Sequence, residues 1–392
     1  MTQPTNGVHT ANWSGVVAMT VCVFALIASE FMPVSLLTPI AADLVVTEGM
    51  TGQGIAISGA FAVVTSLTIS PLAGGLNRKP LLLIFTLLMA LSGALVGLAP
   101  NYAVYMIGRA LIGVVVGGFW SMSAATAMRL VPTLLVPRAL AIFNGGNALA
   151  AVLAAPIGSY LGSVIGWRGT FFCLVPIALA ALLWQWISLP SMPAAPRGTG
   201  PRHIFGPLRR RPIAIGLAAC GAFFMGQFVL FTYVRPFLET VTNVDAVTLS
   251  LSLLIVGAAG LVGTALIGRF IARSLSGTLI AVPVLMAIVA VALIPAGPWL
   301  APVMVLLGAW GFLATSAPVG WWSWVARSLP DEAEAGGGLM VAVIQLFTAL
   351  GSTVGGVLFD TSGYVTTFLA AAAVLLVGAL LAALAGRAAR AA

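Results

Sequence analysis

Apolar stretches long enough to cross a bilayer follow one another down almost the whole chain, and no other feature constrains its fold as strongly. A spanning helix needs ~20 mostly apolar residues. Hydropathy marks twelve such segments among the 392 residues, at 14–40, 51–73, 81–99, 102–128, 138–161, 168–187, 212–236, 246–268, 276–295, 299–325, 336–358 and 364–385. Charged residues make up 7% of the sequence, against about 25% in soluble domains. So few cannot clothe a water-facing surface. That excludes a cytosolic enzyme, a secreted disulfide scaffold and a disordered chain, and leaves an all-α polytopic membrane protein.

The sequence carries a formal net charge of +8, and its placement tells topology rather than nucleic-acid binding. With the N-terminus in the cytoplasm, fourteen basic residues fall on inner connections: Arg78, Lys79, Arg129, Arg138, Arg197, Arg202, Arg209, Arg210, Arg211, Arg269, Arg273, Arg327, Arg387 and Arg390. Only Arg168 and Arg235 fall outside, and Arg109 lies within span 4. This bias follows the positive-inside rule and predicts both termini in the cytoplasm. Met1–Asn12 is polar and has no Lys or Arg, unlike a signal peptide, so span 1 is expected to stay in the mature chain. Cys22, Cys173 and Cys220 sit singly in apolar runs and read as packing residues, with no metal or disulfide pattern.

The longest polar connection, 188–211, is rich in Pro, Gly and Arg and divides the spans into bundles at 1–187 and 212–392. Short strings repeat across it. Gly166-Trp167-Arg168-Gly169-Thr170-Phe171 returns as Gly363-Tyr364-Val365-Thr366-Thr367-Phe368, 197 residues on, and Arg129-Leu130-Val131-Pro132 as Arg327-Ser328-Leu329-Pro330, 198 on. Two concordant offsets at matching topological positions predict a duplication, the arrangement of two pseudo-symmetric six-helix bundles that many secondary transporters use for alternating access.

Glu30 is the one acid deep inside an apolar span, with Met19, Val23, Leu26, Leu37 and Ala41 on its helical face. A charge at a helix centre costs ~2.5–3.5 kcal/mol on insertion scales. Removal from water favours a carboxyl's protonated form, so Glu30 reads as a proton carrier, or as a structural ion-pair partner for Arg109 at similar depth. Arg109, Gly113 and Trp120 share one stripe of span 4 with Ser123 nearby, which suits a helix lining a cavity or packing closely through its glycines. Asn144, Asn147, Gln227 and Gln345 are uncharged amides at membrane depth, with Phe231 beside Gln227 and Trp321 on an aromatic stripe of span 10. Such groups face protein or a wet cavity. Together they suit a neutral solute with a stacking plane and hydroxyls.

Three sets of residues carry a family resemblance. Gly75-Leu76-Asn77-Arg78-Lys79 resembles the major facilitator signature loop, with Asn77 where that superfamily has Asp, a change that removes the carboxylate of its usual latch. Arg109, Gly113 and Gly117 are similar to its span 4 motif. Ala155-Pro156-Ile157-Gly158 leading to Gly166-Trp167-Arg168 resembles the motif of its drug/proton antiporters, with Ala155 for a usual Gly. Longer strings, among them Glu30-Phe31-Met32-Pro33-Val34-Ser35, Gly118-Phe119-Trp120-Ser121 and Val341-Ala342-Val343-Ile344-Gln345, resemble the bacterial purine ribonucleoside efflux pumps, with arabinose-type sugar efflux permeases as near relatives.

The resemblance implies the major facilitator fold, usually monomeric, in the bacterial inner membrane. It implies proton-driven antiport of purine ribonucleosides, or alternatively of sugars or drugs, without any cofactor. Gly75, Arg78, Lys79, Pro156 and Gly158 become candidates for conformational coupling, with Pro156 the expected bend at the interface between the halves. No GxxxxGK[ST] loop serves an ATP-driven pump, because the single lysine, Lys79, precedes Pro80. His9 and His203 lie outside the spans, which argues against a membrane-embedded enzyme. No repeated filter-like segment favours a channel.

Overall fold

The computed structural model describes residues 11–72, 76–193, 206–329 and 333–391. Half of the connection at 188–211, residues 194–205, and Gly75 therefore lie outside the described residues. Span 1 is α1 (Trp13–Ser35) followed by α2 (Leu37–Leu44); spans 2, 3 and 4 are α3 (Glu48–Leu72), α4 (Arg78–Gly97) and α5 (Tyr102–Arg129). α6 (Val136–Ser188) holds spans 5 and 6. Span 7 is α7 (Arg211–Phe231) with α8 (Val234–Thr240), and spans 8, 9 and 10 are α9 (Ala246–Arg273), α10 (Leu275–Ala296) and α11 (Leu300–Ser328). α12 (Ala333–Ala391) holds spans 11 and 12. The twelve-span reading stands, although ten helices carry it: two continuous stretches of 51 and 52 residues each cross twice.

Those two stretches fold back at single residues. Gly166 has φ 74° and Gly363 has φ 76°, a region that a residue without Cβ reaches freely. Both stand at the head of the repeated string, 197 residues apart. Other backbone features keep the same spacing. Leu36, between α1 and α2, has φ −120° and ψ 11°, and Tyr233, between α7 and α8, has φ −107° and ψ 15°. Val45 (φ 55°) and Asn243 (φ 57°) end the first spans of each half in the left-handed region. The duplication is thus written in backbone angles as well as letters.

Side-chain packing repeats too. A Cβ on Gly113 would sit 2.2 Å from the Ser58 carbonyl oxygen, and one on Gly311 would sit 2.1 Å from that of Val256. Both members of this pair are displaced by 198. Spans 4 and 2, like spans 10 and 8, therefore touch backbone to backbone, the contact small residues allow in membranes. Two core clusters, one including Met19, Phe85 and Phe119 and another including Ile40, Tyr105 and Phe171, fill the first half. A third, drawn almost wholly from spans 7–12, fills the second.

Helix starts follow local chemistry. Asn12 accepts from the Gly15 amide at 2.9 Å, Asp245 from Thr248 at 2.9 Å and Ser274 from Gly277 at 3.0 Å, each supplying a donor left over at a helix N-terminus with its partner. Asn12 also donates to the Ser188 carbonyl at 2.6 Å, placing the start of span 1 beside the end of span 6.

Pro156, the expected bend, keeps helical backbone angles. Within α6 the non-helical residue is Gly166. Pro156 stays in a helical run, and two residues on, a Cβ on Gly158 would meet Ser35 Oγ at 2.6 Å and Met32 Cγ at 3.2 Å. The small face of span 5 seats span 1 of its own half. Contact with the other half comes earlier, where Gly257 lies against Val152, a Cβ there falling 2.7 Å from its Cα.

Candidate functional site

The halves meet along spans 2 and 11 and along spans 5 and 8, and at mid-membrane span 1 touches spans 7 and 11. Glu30 lies at that crossing. The residue is 9% exposed, and its carboxyl accepts a hydrogen bond from Gln345 Nε2 of the opposite half at 3.1 Å. One residue on, the ring of Phe31 stacks on Phe228 across the interface, with centroids 6.0 Å apart and planes 25° apart. Phe231 meets Phe228 edge-on at 6.3 Å. The offset of 197 makes Gln227 the counterpart of Glu30 and Phe228 that of Phe31. Gln227 Oε1 is buried and finds no hydrogen-bond partner among the described residues.

Arg109 does not form the ion pair that depth suggested. Its guanidinium is 1% exposed and donates to three backbone carbonyls: Ser29 at 2.8 Å, Gly54 at 3.1 Å and Glu30 at 3.2 Å. The fork geometry of Arg suits several acceptors at once. It fastens spans 1 and 2 onto span 4 and holds the backbone beneath Glu30, leaving the carboxyl to Gln345. Depth alone could not separate the Glu30 side-chain carboxylate from main-chain carbonyls at the same level.

Other sequence candidates scatter. Asn144 is exposed and donates to its own helix at Leu140, 2.9 Å. It lies eleven residues before Ala155, hence within ~20° of the face that packs on the other half. Asn147, nearly one turn above, is half-buried. Trp120 meets Phe143 edge-on at 6.1 Å inside the first half, and Ser123 is fully buried with its hydroxyl unpartnered. Trp321 is not at the interface. It is 2% exposed, lies 6.4 Å from Phe223 and 6.2 Å from Trp324, and shares a small apolar cavity with Leu279 and Pro283 in the second half. A stripe of indoles fits a core as well as a site, and here the core takes it.

At the 75–79 loop, Asn77 bonds through both ends of its side-chain amide. Its oxygen accepts from the Lys79 and Met192 amides, both at 3.0 Å, while its amide donates to Ser191 Oγ at 2.5 Å. Lys79 donates to the Trp186 carbonyl at 2.7 Å, and Arg78 reaches Met122 Sδ at 3.7 Å. These bonds hold the loop to the end of span 6.

Among the described residues, hydrogen bonds between the halves lie at the centre and on one side of it. Toward the end remote from the termini, Ser352 Oγ donates to the Gly52 carbonyl at 2.8 Å, and Asp360 accepts from Thr47 Oγ1 at 2.5 Å and the Gly49 amide at 3.0 Å. Arg235, paired with Glu239 at 2.7 Å, donates to the Ser35 carbonyl at the break in span 1. Toward the termini, glycines on the same faces meet no described residue. Gly145 and Gly338 stand seven residues before Val152 and Gln345, within ~20° of their faces, and a Cβ on either would meet nothing within 4 Å.

Two pseudo-symmetric six-helix halves meeting at a central polar site are the architecture of many secondary transporters. The Major Facilitator Superfamily model matches residues 19–340, and the chain belongs to that superfamily as a multi-pass membrane transporter. It is 63% identical over 385 residues to a Pseudomonas aeruginosa protein named "Transcription regulatory protein OpdE", covering 97% of this chain and 96% of that one. It is 38% identical over 375 residues to the "Purine ribonucleoside efflux pump NepI" of Salmonella typhimurium, covering 96% and 94%. Among solved structures, a bacterial homolog of the human lysosomal transporter Spinster, titled inward-facing and unoccupied, aligns with TM-score 0.74 at 16% identity over 97% of this chain and 98% of that one. The human organic anion transporter MFSD10 aligns with TM-score 0.66 at 17% identity over 95% and 99%.

Proposed function

We propose that the protein is a proton-coupled antiporter exporting a small neutral polar solute, most simply a purine ribonucleoside, across the bacterial inner membrane. The observation that carries this reading is the Glu30 carboxyl held by Gln345 of the opposite half, beside an aromatic stack and a free amide oxygen. A carboxyl at that contact exchanges its proton with water only when the halves part, which ties proton movement to the side that is open. With the termini in the cytoplasm, as the basic residues indicate, the form described here opens inward. Substrate enters from the cytoplasm, and a periplasmic proton reaches Glu30 after the halves rock. The Salmonella relatives named for purine ribonucleoside efflux support the substrate class. A carrier that sets the cytoplasmic level of an effector also alters transcription without touching DNA, which reconciles the regulatory name of the Pseudomonas relative with this activity.

The test is transport in proteoliposomes with an imposed pH gradient, comparing inosine, arabinose and a lipophilic cation. Inosine flux should follow the gradient and vanish in Glu30→Gln, whose amide still accepts from Gln345 and keeps the fold. Inosine flux indifferent to the gradient overturns the coupling, and arabinose-only flux moves the protein to the sugar permeases.

A further inference from the structure

Phe31 and Phe228 are each other's counterparts under the duplication, and they touch. Two groups exchanged by a twofold axis are in contact only where the axis runs between them. The axis relating the halves of such a carrier runs along the membrane normal, through the path between them. The ring pair therefore stands in the centre of the path, with Glu30 and Gln227, also counterparts, one residue before each ring. Phe31 packs against the cores of both halves, so its ring marks the boundary on which they part.

We propose that Phe31 and Phe228 form a stacking clamp that selects solutes carrying a planar heteroaromatic ring with hydrogen-bond donors on its edge. The clamp deepens the transport reading above, on which it rests, by assigning the ring of the substrate its place. The ring centroids now lie 6.0 Å apart. A third ring slipped between two rings already in contact adds one more van der Waals gap, ~3.5 Å, so the halves separate by about that much to admit it. Their planes, 25° from parallel, already suit a flat guest. An N–H on the guest's edge meets Gln227 Oε1, the buried acceptor without a partner; orphaned buried acceptors are scarce because each costs the desolvation of the group. On the opposite flank the guest's donors and acceptors take over the Glu30–Gln345 bond. Without a guest, the two rings close on each other and plug the path.

The experiment measures binding and export of inosine, hypoxanthine and ribose by the full-length protein and by Phe31→Leu, Phe228→Leu and Phe31→Trp. Leucine keeps apolar volume at each place and removes the stack, while tryptophan restores it. The expected result is a roughly tenfold fall in inosine affinity relative to ribose in either leucine variant. Hypoxanthine should compete with inosine in the wild type and in Phe31→Trp, and lose that competition in both leucine variants. An inosine-to-ribose ratio unchanged in correctly folded leucine variants overturns the clamp while leaving nucleoside export intact. Clamp-dependent binding of hypoxanthine without inosine export upholds the clamp and overturns the nucleoside reading. Wild-type protein that binds no planar probe overturns both.

Discussion

The two halves share a frame and divide the chemistry. Gly113 on Ser58 and Gly311 on Val256 are the same backbone contact made twice, and Gly166 and Gly363 are the same turn. At the site the copies part company. Glu30 faces Gln227, Arg109 faces a fully buried Leu307, and Arg168, which pairs with Asp43, has Val365 as its counterpart. At Gly113 and Gly311 backbone meets backbone with no room for a Cβ, and both copies hold glycine there. Positions facing the path carry no such constraint, and a single ionisable group is enough to couple a proton. Its neighbours in the second copy supply uncharged contacts. A symmetric hinge carrying a one-sided charge is what directional coupling requires.

Exchanging the two site residues breaks that comparison most directly. In the double variant Glu30→Gln with Gln227→Glu the acid moves to its symmetry-related place, where Gln345 does not reach it and Leu307 stands in place of Arg109. Gradient-driven inosine flux should fall to the level of protein-free vesicles, and the relocated carboxyl should cost ~3 kcal/mol in stability. Full recovery of flux would show that the carboxyl acts through depth alone and that its Gln345 and Arg109 surroundings are dispensable.

Arg109→Leu makes the first half resemble the second and tests whether Arg109 is a fastener. The change removes the guanidinium bonds to the Ser29, Gly54 and Glu30 carbonyls, of which Ser29 has no other helical donor because Pro33 lies four residues on, for a loss of about 3 kcal/mol, read as a lower melting temperature in detergent. Lysine, a point donor without the fork, should recover part of it. Next in size are the paired glycines. Gly113→Ala and Gly311→Ala each drive a Cβ against a carbonyl oxygen, at 2.2 and 2.1 Å, and should each cost about 2 kcal/mol. Gly145→Ala, with nothing within 4 Å, should cost nothing and gain up to ~1 kcal/mol from helix propensity. Unequal losses at the first two would break the equivalence of the halves.

Much of this frame was legible in the letters, because hydropathy counts spans and two offsets exposed the duplication. The same offset already paired Glu30 with Gln227 and Phe31 with Phe228; applying it residue by residue would have found the ring pair before any coordinates. Other features had no linear signal. Trp321 and Gln345 both lie on faces rich in bulky or polar groups, yet one points into its own half and the other across. Which face a fully apolar helix turns to a neighbour is set by packing, since lipid and protein interior are alike in polarity. Arg109 was correctly placed in depth and wrongly partnered, because its acceptors are main-chain atoms and every residue carries those.

The smallest effect concerns the seams. On the seam of spans 2 and 11, Asp360 clasps Thr47 and the Gly49 amide at the start of span 2. Its counterpart 197 residues earlier, Ser163, turns its hydroxyl back to the Tyr160 carbonyl at 2.7 Å and clasps nothing across the seam of spans 5 and 8. The clasp combines a cross-half hydrogen bond with a negative charge at a helix N-terminus, worth ~0.3–1 kcal/mol at an exposed site. Asp360→Ala removes both, so the population open at that end should rise by a factor of about 2–5. In a Cys173→Ser background, which removes the exposed native thiol, a cysteine replacing the buried Thr348 reports the change as faster labelling by an impermeant thiol reagent. Ser163→Ala should leave the rate untouched. Equal rates in Asp360→Ala and its parent would assign the seal to the apposed glycines, Gly49 against Gly356 and Gly59 against Ala349, and would make the two seams equivalent after all.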